Sequence, residues 1–190
     1  RPFTIFLQKG TNSYSLGTTG THATLSYIDT AMRIAGVTND TILQIDSTTS
    51  MTAGDYILVE LDTGYYHATT IASITDSDTL VLTTGITSAA AIDNRIYTYT
   101  TKIHRPLAID NVTVRDSSDI DRPVTIISRQ EYYQYTSKLQ QGEVVNIYFD
   151  PTLTTSTIKV YNTPSAVDKT LECVGYFPLE DMDAANNDFD

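Results

Sequence analysis

The chain has 190 residues, 41% of them hydrophobic and 18% charged, which is enough apolar material for a folded core and allows one domain or two small ones. It is rich in Thr and contains 13 Tyr but no Trp, and this preference for β-branched and aromatic residues is typical of β-sheet proteins. The formal net charge of −11 argues against a surface that follows nucleic-acid phosphates. It suits a soluble protein, or a surface past which DNA moves without sticking.

The single cysteine, Cys173, excludes a framework of internal disulfides. It lies in the alternating run TLECVGYF, where we expect a small buried side chain and not a nucleophile. No run reaches the roughly 18 to 20 apolar residues of a membrane-spanning helix, and we find no signal peptide, so we expect no membrane partner. The chain starts inside an apolar run and stops in an acidic stretch, so we expect flanking segments before Arg1 and after Asp190.

The start of the chain predicts three strands. Alternating apolar residues indicate strands over 3–7 and 13–16, with Gly10 and Gly17 at the turns between them. The segment 24–33 is rich in residues that form helices poorly, so we predict a third strand there.

The middle of the chain has the clearest pattern. Five alternating runs follow one another at hairpin spacing, separated by turns such as DTG at 62–64. The runs are TILQI, YILVEL, YYHATTIASI, TLVLTT and RIYTYT. They predict a compact β subdomain, a small barrel or sandwich, inserted at 37–102 into a main β domain made of 1–36 and 103–190.

The last part of the chain returns to alternating runs, with one exception. In SRQEYYQYTSKL, Ser128 precedes Glu131 by three residues, which is the spacing of a helix capping box, so we predict a short helix from Arg129 to about Tyr135. The fold class that follows is mainly β: an antiparallel β-sandwich or barrel-like domain with an inserted small β-barrel or hairpin subdomain and one short helix.

Metal and nucleophile motifs are missing from the sequence. His22, His67 and His104 are scattered, and no pair of His or Cys residues has the spacing of zinc ligands. We expect His67 at the surface of its strand. There is no Gly-rich phosphate loop and no nucleophile elbow, so we expect no metal, no cofactor and no triad.

The carboxylates give a weak indication of catalysis. Glu131, Glu143 and Asp150 are candidates for a glycosidase pair, which requires two carboxyl groups about 5 to 9.5 Å apart. Glu131 is already accounted for as a helix cap, and Asp150 before Pro151 is a common turn opener. The acidic residues of the tail are Asp181, Asp183, Asp188 and Asp190. They lack the order of a calcium-binding loop and indicate a solvated acidic segment. We therefore expect a protein that is not an enzyme.

Two groups of tyrosines are the candidate interface residues. Tyrosine joins an apolar ring to a polar tip and is enriched at protein interfaces. The candidates are Tyr65, Tyr66, Tyr132, Tyr133 and Tyr135. Ordinary core and rim packing is the alternative explanation for the same residues.

The last third of the chain carries a family resemblance. A Ser-Arg-x-Glu-Tyr helix start at 128–132, a Tyr-Phe-Asp-Pro turn at 148–151, a Val-Tyr-x-Thr-Pro strand end at 160–164 and the acidic exit follow in order. Together they resemble the β region of the head-to-tail adaptor proteins of tailed bacteriophages. The opening FTIFLQKGTNSYSLGTTGTHAT is similar to the strand that enters that region. The resemblance covers about residues 1–34 and 105–190.

The resemblance implies a role in the virion. Adaptors of short-tailed phages, also grouped as connector, tail-tubular or packaged-DNA-stabilising proteins, form a ring of about twelve copies beneath the portal and join it to the tail nozzle. It implies three protein partners, namely further copies of the chain, a portal protein and a tail nozzle protein. Packaged double-stranded DNA would pass through without specific binding. The expected location is the virion, assembled in the bacterial host cytoplasm.

The resemblance leaves part of the chain unexplained. The family's ring-forming helices come before and after its β region, and we expect them outside this chain. The insertion at 37–102 is not a constant part of the family, and we expect it to decorate the outside of the ring.

Two other functions stay open at this point. One is a carbohydrate-binding or surface-binding β module of a phage or bacterial surface protein, indicated by the tyrosines. The other is a peptidoglycan hydrolase, an activity carried by some related adaptors, for which this sequence supplies no catalytic motif.

Overall fold

A computed structural model of the chain describes residues 1–153 and 155–178. These residues form three mainly antiparallel sheets and one short helix, so the predicted mainly β fold class is confirmed. In chain order the elements are β1 (Pro2–Phe6), β2 (Ser13–Leu16), β3 (Ala23–Thr24), β4 (Ile28–Ala31), β5 (Ile42–Gln44), β6 (Tyr56–Glu60), β7 (Tyr66–Ile74), β8 (Thr79–Leu82), β9 (Arg95–Tyr99), β10 (Ala108–Arg115), β11 (Asp121–Pro123), β12 (Thr125–Ile126), α1 (Arg129–Gln134), β13 (Asn146–Asp150), β14 (Ser156–Tyr161) and β15 (Thr170–Tyr176).

Two of the sheets form a sandwich. Their strand orders are β11-β10-β15-β1-β3 and β12-β13-β14-β2. Alternate side chains from both sheets meet in one core, with Phe3 and Cys173 opposite each other on β1 and β15, and Ile158 and Val160 on β14. Each large aliphatic or aromatic side chain buried in this way contributes about 1.5–3 kcal/mol to stability. The predicted strands at 3–7 and 13–16 correspond to β1 and β2.

The helix α1 begins where the capping box predicts. The Ser128 hydroxyl accepts a hydrogen bond from the Glu131 amide at 3.2 Å, and the Glu131 carboxylate accepts one from the Ser128 amide at 2.7 Å. The helix ends at Gln134, and Tyr135 is its C-cap. It packs against β13 at the surface of the sandwich.

The third sheet is strongly curled. Its strand order is β4-β9-β6-β7-β8-β5, and it contains all five strands predicted between residues 37 and 102. Its two edge strands approach each other at one end, where the Arg33 amide donates to the Gln44 carbonyl and the Asp46 amide donates to the Ala31 carbonyl, both at 3.0 Å. We call residues 28–99 the curled sheet.

The segment 24–33 does not form the single strand predicted for it. Its first residue, Thr24, belongs to β3, which pairs with β1 in the sandwich, and its residues 28–31 form β4, which pairs with β9 in the curled sheet. The break between them is required because the two halves hydrogen-bond to different sheets. The curled sheet thus takes one strand, β4, from before residue 37, and the division of the chain into 1–36, 37–102 and 103–190 stays a prediction.

His67 is buried, and the expectation of a surface position is wrong. On β7 it lies opposite Val59, a core residue of the curled sheet, and directly opposed residues share one face. Its Nε2 lies 3.2 Å from the Thr84 carbonyl oxygen, which satisfies the ring nitrogen inside the fold.

An aromatic cluster joins the curled sheet to the sandwich. Phe6 of β1 packs against Tyr97 and Tyr99 of β9, with ring centroids 4.8 and 5.7 Å apart. Leu58, Tyr66 and Val167 complete the buried part of this cluster. We call it the junction. Because its rings are buried from both sides, it holds the two parts in a defined relative position.

Candidate functional site

The first pair of candidate tyrosines lies beside the turn between β6 and β7. Gly64 takes a positive φ of 76° there, and its amide donates to the Leu61 carbonyl at 2.8 Å, so the DTG turn forms as predicted. The Tyr65 side chain is 48% exposed, and the Lys9 ammonium lies 5.8 Å from the centre of its ring.

Tyr66 points the other way, into the junction. It is 7% exposed, and its hydroxyl donates to the Val167 carbonyl. Burial raises the pKa of this phenol, so the hydroxyl stays a neutral donor. Tyr66 therefore holds two parts of the same chain together and leaves little surface for a partner.

The second group of tyrosines lies on and after α1. Tyr132 is 1% exposed and packs beneath the helix against Tyr148 of β13, with ring centroids 5.8 Å apart. Tyr135 stacks on Tyr161 of β14, and its hydroxyl accepts a hydrogen bond from the Asn146 side-chain amide at 2.7 Å. These contacts fix the helix on the sandwich, and Tyr133 is left 48% exposed.

Three cations surround the exposed ring of Tyr133. Arg129, Lys138 and Lys159 place their charged groups 5.8, 5.5 and 5.2 Å from its centroid. The Lys159 ammonium donates to the Tyr133 hydroxyl at 2.8 Å, and this bond lowers the pKa of Tyr133 and raises that of Lys159. The Lys138 ammonium donates to the Tyr135 carbonyl at 2.8 Å. Each cation within this distance of a ring is stabilised by about 0.5–1 kcal/mol at an exposed site.

Arg129 differs from most arginines of the described chain in its pairing, whereas Lys138 and Lys159 are like the other described lysines, none of which forms an ion pair within that part of the chain. Arg33, Arg95, Arg115 and Arg122 each form an ion pair with an aspartate or glutamate. Arg129, Lys138 and Lys159 form none with any carboxylate among residues 1–153 and 155–178. Asp150 acts on Lys159 only through its longer-range field.

Arg129, Gln130 and Tyr133 line an open cleft of about 440 Å³, and Lys138 and Lys159 lie near the ring of Tyr133. We call Arg129, Gln130, Tyr133, Lys138 and Lys159 the cationic tyrosine surface. Its donors are a guanidinium, two ammonium groups and a carboxamide, a set that suits negatively charged oxygen atoms.

Two of the three candidate glycosidase carboxylates, Glu131 and Glu143, have other partners. Glu131 accepts from the Ser128 amide, and Glu143 pairs with Arg122. Both contacts lower the pKa of the carboxyl group, whereas the general acid of a glycosidase needs a raised one.

The other candidate groups are engaged inside the fold. Burial and the nearby Lys102 charge lower the pKa of His22 to about 4, and its Nδ1 is hydrogen-bonded to the Tyr99 hydroxyl. Burial raises the pKa of the Cys173 thiol well above its usual value, so it stays protonated in the core. The acidic tail residues Asp181, Asp183, Asp188 and Asp190 lie outside the described residues.

Within the described ranges, no group of three or more His, Cys, Asp or Glu side chains is placed to hold a metal ion. The helix that the structure describes there is too short to cross a membrane.

Sequence reasoning missed the cations of this surface. Arg129 lies four residues before Tyr133 on the helix, so helical spacing alone brings it to the ring, but Lys138 and Lys159 come from the segment after the helix and from β14. The partial signal was the alternation in TIKVY, which puts Lys159 and Tyr161 on one face of their strand, the face away from Ile158 and Val160.

Comparison of the chain with protein-family models, with curated proteins and with solved structures found no match.

Proposed function

We propose that this chain is the β region of a non-enzymatic virion protein, a head-to-tail adaptor that joins the portal of a short-tailed phage to its tail. The resemblance of residues 1–34 and 105–190 supports this role. Within that stretch the capped helix at 128 and the strand that ends in the Tyr-Phe-Asp-Pro turn are formed elements of one sandwich.

The observation that carries the proposal is the position of the two ends of the sandwich. The Gly175 amide donates to the Arg1 carbonyl at 3.0 Å, and Pro2 lies opposite Val174 in the register of β1 and β15. The start of β1 and the end of β15 therefore lie side by side. A β module with adjacent ends can sit between two helical segments without distorting either of them, which is the place of the β region in the adaptor family.

In this proposal the curled sheet lies apart from the surfaces of the sandwich that contact other proteins. It is attached to the sandwich through the junction, and five of its six strands lie outside the residues that resemble the family, with only β4 inside them. It would decorate the outside of the ring, while the sandwich packs against neighbouring copies, portal and tail. The net charge of −11 would keep packaged DNA from binding where it passes.

The test is whether the protein is a virion component that binds the portal. We expect mass spectrometry of purified virions to detect the full-length protein at a copy number close to that of the portal. We also expect the full-length protein to co-sediment with assembled portal rings and not with portal monomers. Absence from purified virions, or a parent gene with no portal or terminase genes near it, would contradict the proposal.

A further inference from the structure

The cations of the cationic tyrosine surface form no ion pair with a described carboxylate, and Asp150 acts on Lys159 only at longer range. Arg129, Lys138 and Lys159 lie around one ring and repel one another, in a protein whose net charge is −11. An anion bound between them would remove this repulsion and gain charge-assisted hydrogen bonds. The arrangement therefore points to a ligand that carries negatively charged oxygen atoms.

The ring of Tyr133 narrows the class of ligand. Base-stacking proteins need a free aromatic face, but three cations already lie within 5.8 Å of the centre of this ring. Its hydroxyl also accepts from Lys159, so the ring positions the cations. The surface offers a single-stranded nucleic acid positive charge but no free aromatic face on which a base could stack. The acidic net charge of the chain also opposes its approach.

The side chains that line the cleft favour a saccharide over a peptide as the ligand. Arg129, Gln130 and Tyr133 line it, and none of them is an aliphatic side chain that could form an anchoring pocket for a peptide. The Gln130 carboxamide both donates and accepts, which suits the hydroxyl groups of a sugar. The volume of about 440 Å³ lies in the range of sites for small ligands, and the open shape allows a chain to continue past it.

We propose that the cationic tyrosine surface binds an acidic polysaccharide, with carboxylate groups of the sugar contacting Arg129, Lys138 and Lys159 and sugar hydroxyls contacting Gln130. Binding of this kind depends on side chains of the sandwich alone. It is independent of the adaptor role, and either proposal can fail while the other holds.

The experiment measures binding of a uronic-acid oligosaccharide to the whole chain by calorimetry. Four comparison ligands are a neutral glucan oligosaccharide of equal length, poly-glutamate, polyphosphate and single-stranded DNA. We expect the uronate to bind, its affinity to fall as salt rises, and the comparison ligands to bind at least tenfold more weakly.

Variants then locate the site. We expect Arg129→Gln with Lys138→Gln to weaken uronate binding at least tenfold. Lys9→Gln is the matched control, because it removes one cation beside another exposed tyrosine, Tyr65, and it should leave binding unchanged. If the double variant unfolds, Arg129→Gln alone replaces it, since this exposed side chain makes no hydrogen bond with residues 1–153 or 155–178, and a loss of threefold or more is expected.

Three outcomes would overturn the proposal. They are no uronate binding to the native chain, uronate binding that the Arg129 and Lys138 changes leave intact, and equal or tighter binding of the neutral glucan, poly-glutamate, polyphosphate or DNA. The last outcome would assign the surface to a different ligand class.

Discussion

Acidification from pH 7 to pH 4 is expected to destabilise the fold through His22. The imidazole lies between the sandwich and the curled sheet, hydrogen-bonded to Tyr99, and burial together with the Lys102 charge lowers its pKa from 6.5 to about 4. In the unfolded chain the same group binds its proton near pH 6.5. Between these two values the unfolded state binds more protons than the folded state, so stability falls as the pH falls.

The size of the effect follows from the two pKa values of His22. They correspond to a total loss on the order of 3 kcal/mol by pH 4, of which about 2 kcal/mol is lost by pH 5. The exposed carboxylates that accept hydrogen bonds, such as Asp116 and Glu131, have lowered pKa values. Their contribution to stability is lost at lower pH. The loss of stability between pH 6.5 and pH 5 therefore comes mainly from His22.

The assay is urea unfolding at a series of pH values, followed by far-ultraviolet circular dichroism. The native protein is compared with His22→Gln, which cannot titrate, and with His104→Gln, which changes an exposed histidine. We expect the native protein and His104→Gln to lose about 2 kcal/mol between pH 7.5 and pH 5, and His22→Gln to lose much less. A His22→Gln variant that keeps the full pH dependence would refute the reasoning.

Three further changes test the packing. Ser128→Ala removes the helix cap and should lower the free energy of unfolding by about 1 kcal/mol in urea titrations, and no loss would contradict the role of the capping box. Phe6→Ala empties the centre of the junction and should cost about 3–5 kcal/mol in the same measurement, whereas a cost below about 1 kcal/mol would mean that the junction does not hold the two parts together. Cys173 should react with a thiol reagent only when urea unfolds the protein, and rapid labelling of the native state would contradict its burial.

Much of the local structure could be predicted from the sequence, because its signals are local. The alternation between residues 41 and 100 predicts five strands of the curled sheet, and the spacing of Ser128 and Glu131 predicts the start of α1. Both signals depend on residues within a few positions of one another, so no tertiary information is needed to read them.

The burial of individual side chains could not be predicted in the same way. In the run YYHATT, alternation puts Tyr66 and His67 on opposite faces of β7 but does not say what covers each face. His67 faces the core of the curled sheet, and Tyr66 faces the junction, so both are buried. Where a sheet is covered on both faces, neither face carries a run of polar residues. The sequence pattern therefore does not show that both faces are buried.

Only part of the candidate site, its tyrosines, could be predicted from the sequence. The EYYQY cluster draws attention to Tyr132, Tyr133 and Tyr135, but only the fold separates the exposed ring of Tyr133 from the buried ring of Tyr132. Lys159 lies 26 residues after Tyr133 and reaches it because β14 runs beside the strand on which α1 packs. Convergence over such a distance is set by the sheet order, which the alternation of a single strand does not contain.

The most direct test of the adaptor role is a cryo-electron microscopy reconstruction of the head-to-tail junction in virions that carry the full-length protein. The account predicts density for the sandwich in a closed ring between portal and tail, with the ends of β1 and β15 directed toward a helical layer and the curled sheet on the outer surface. Density for this chain elsewhere in the virion, or a junction ring that contains no density matching the sandwich, would contradict it.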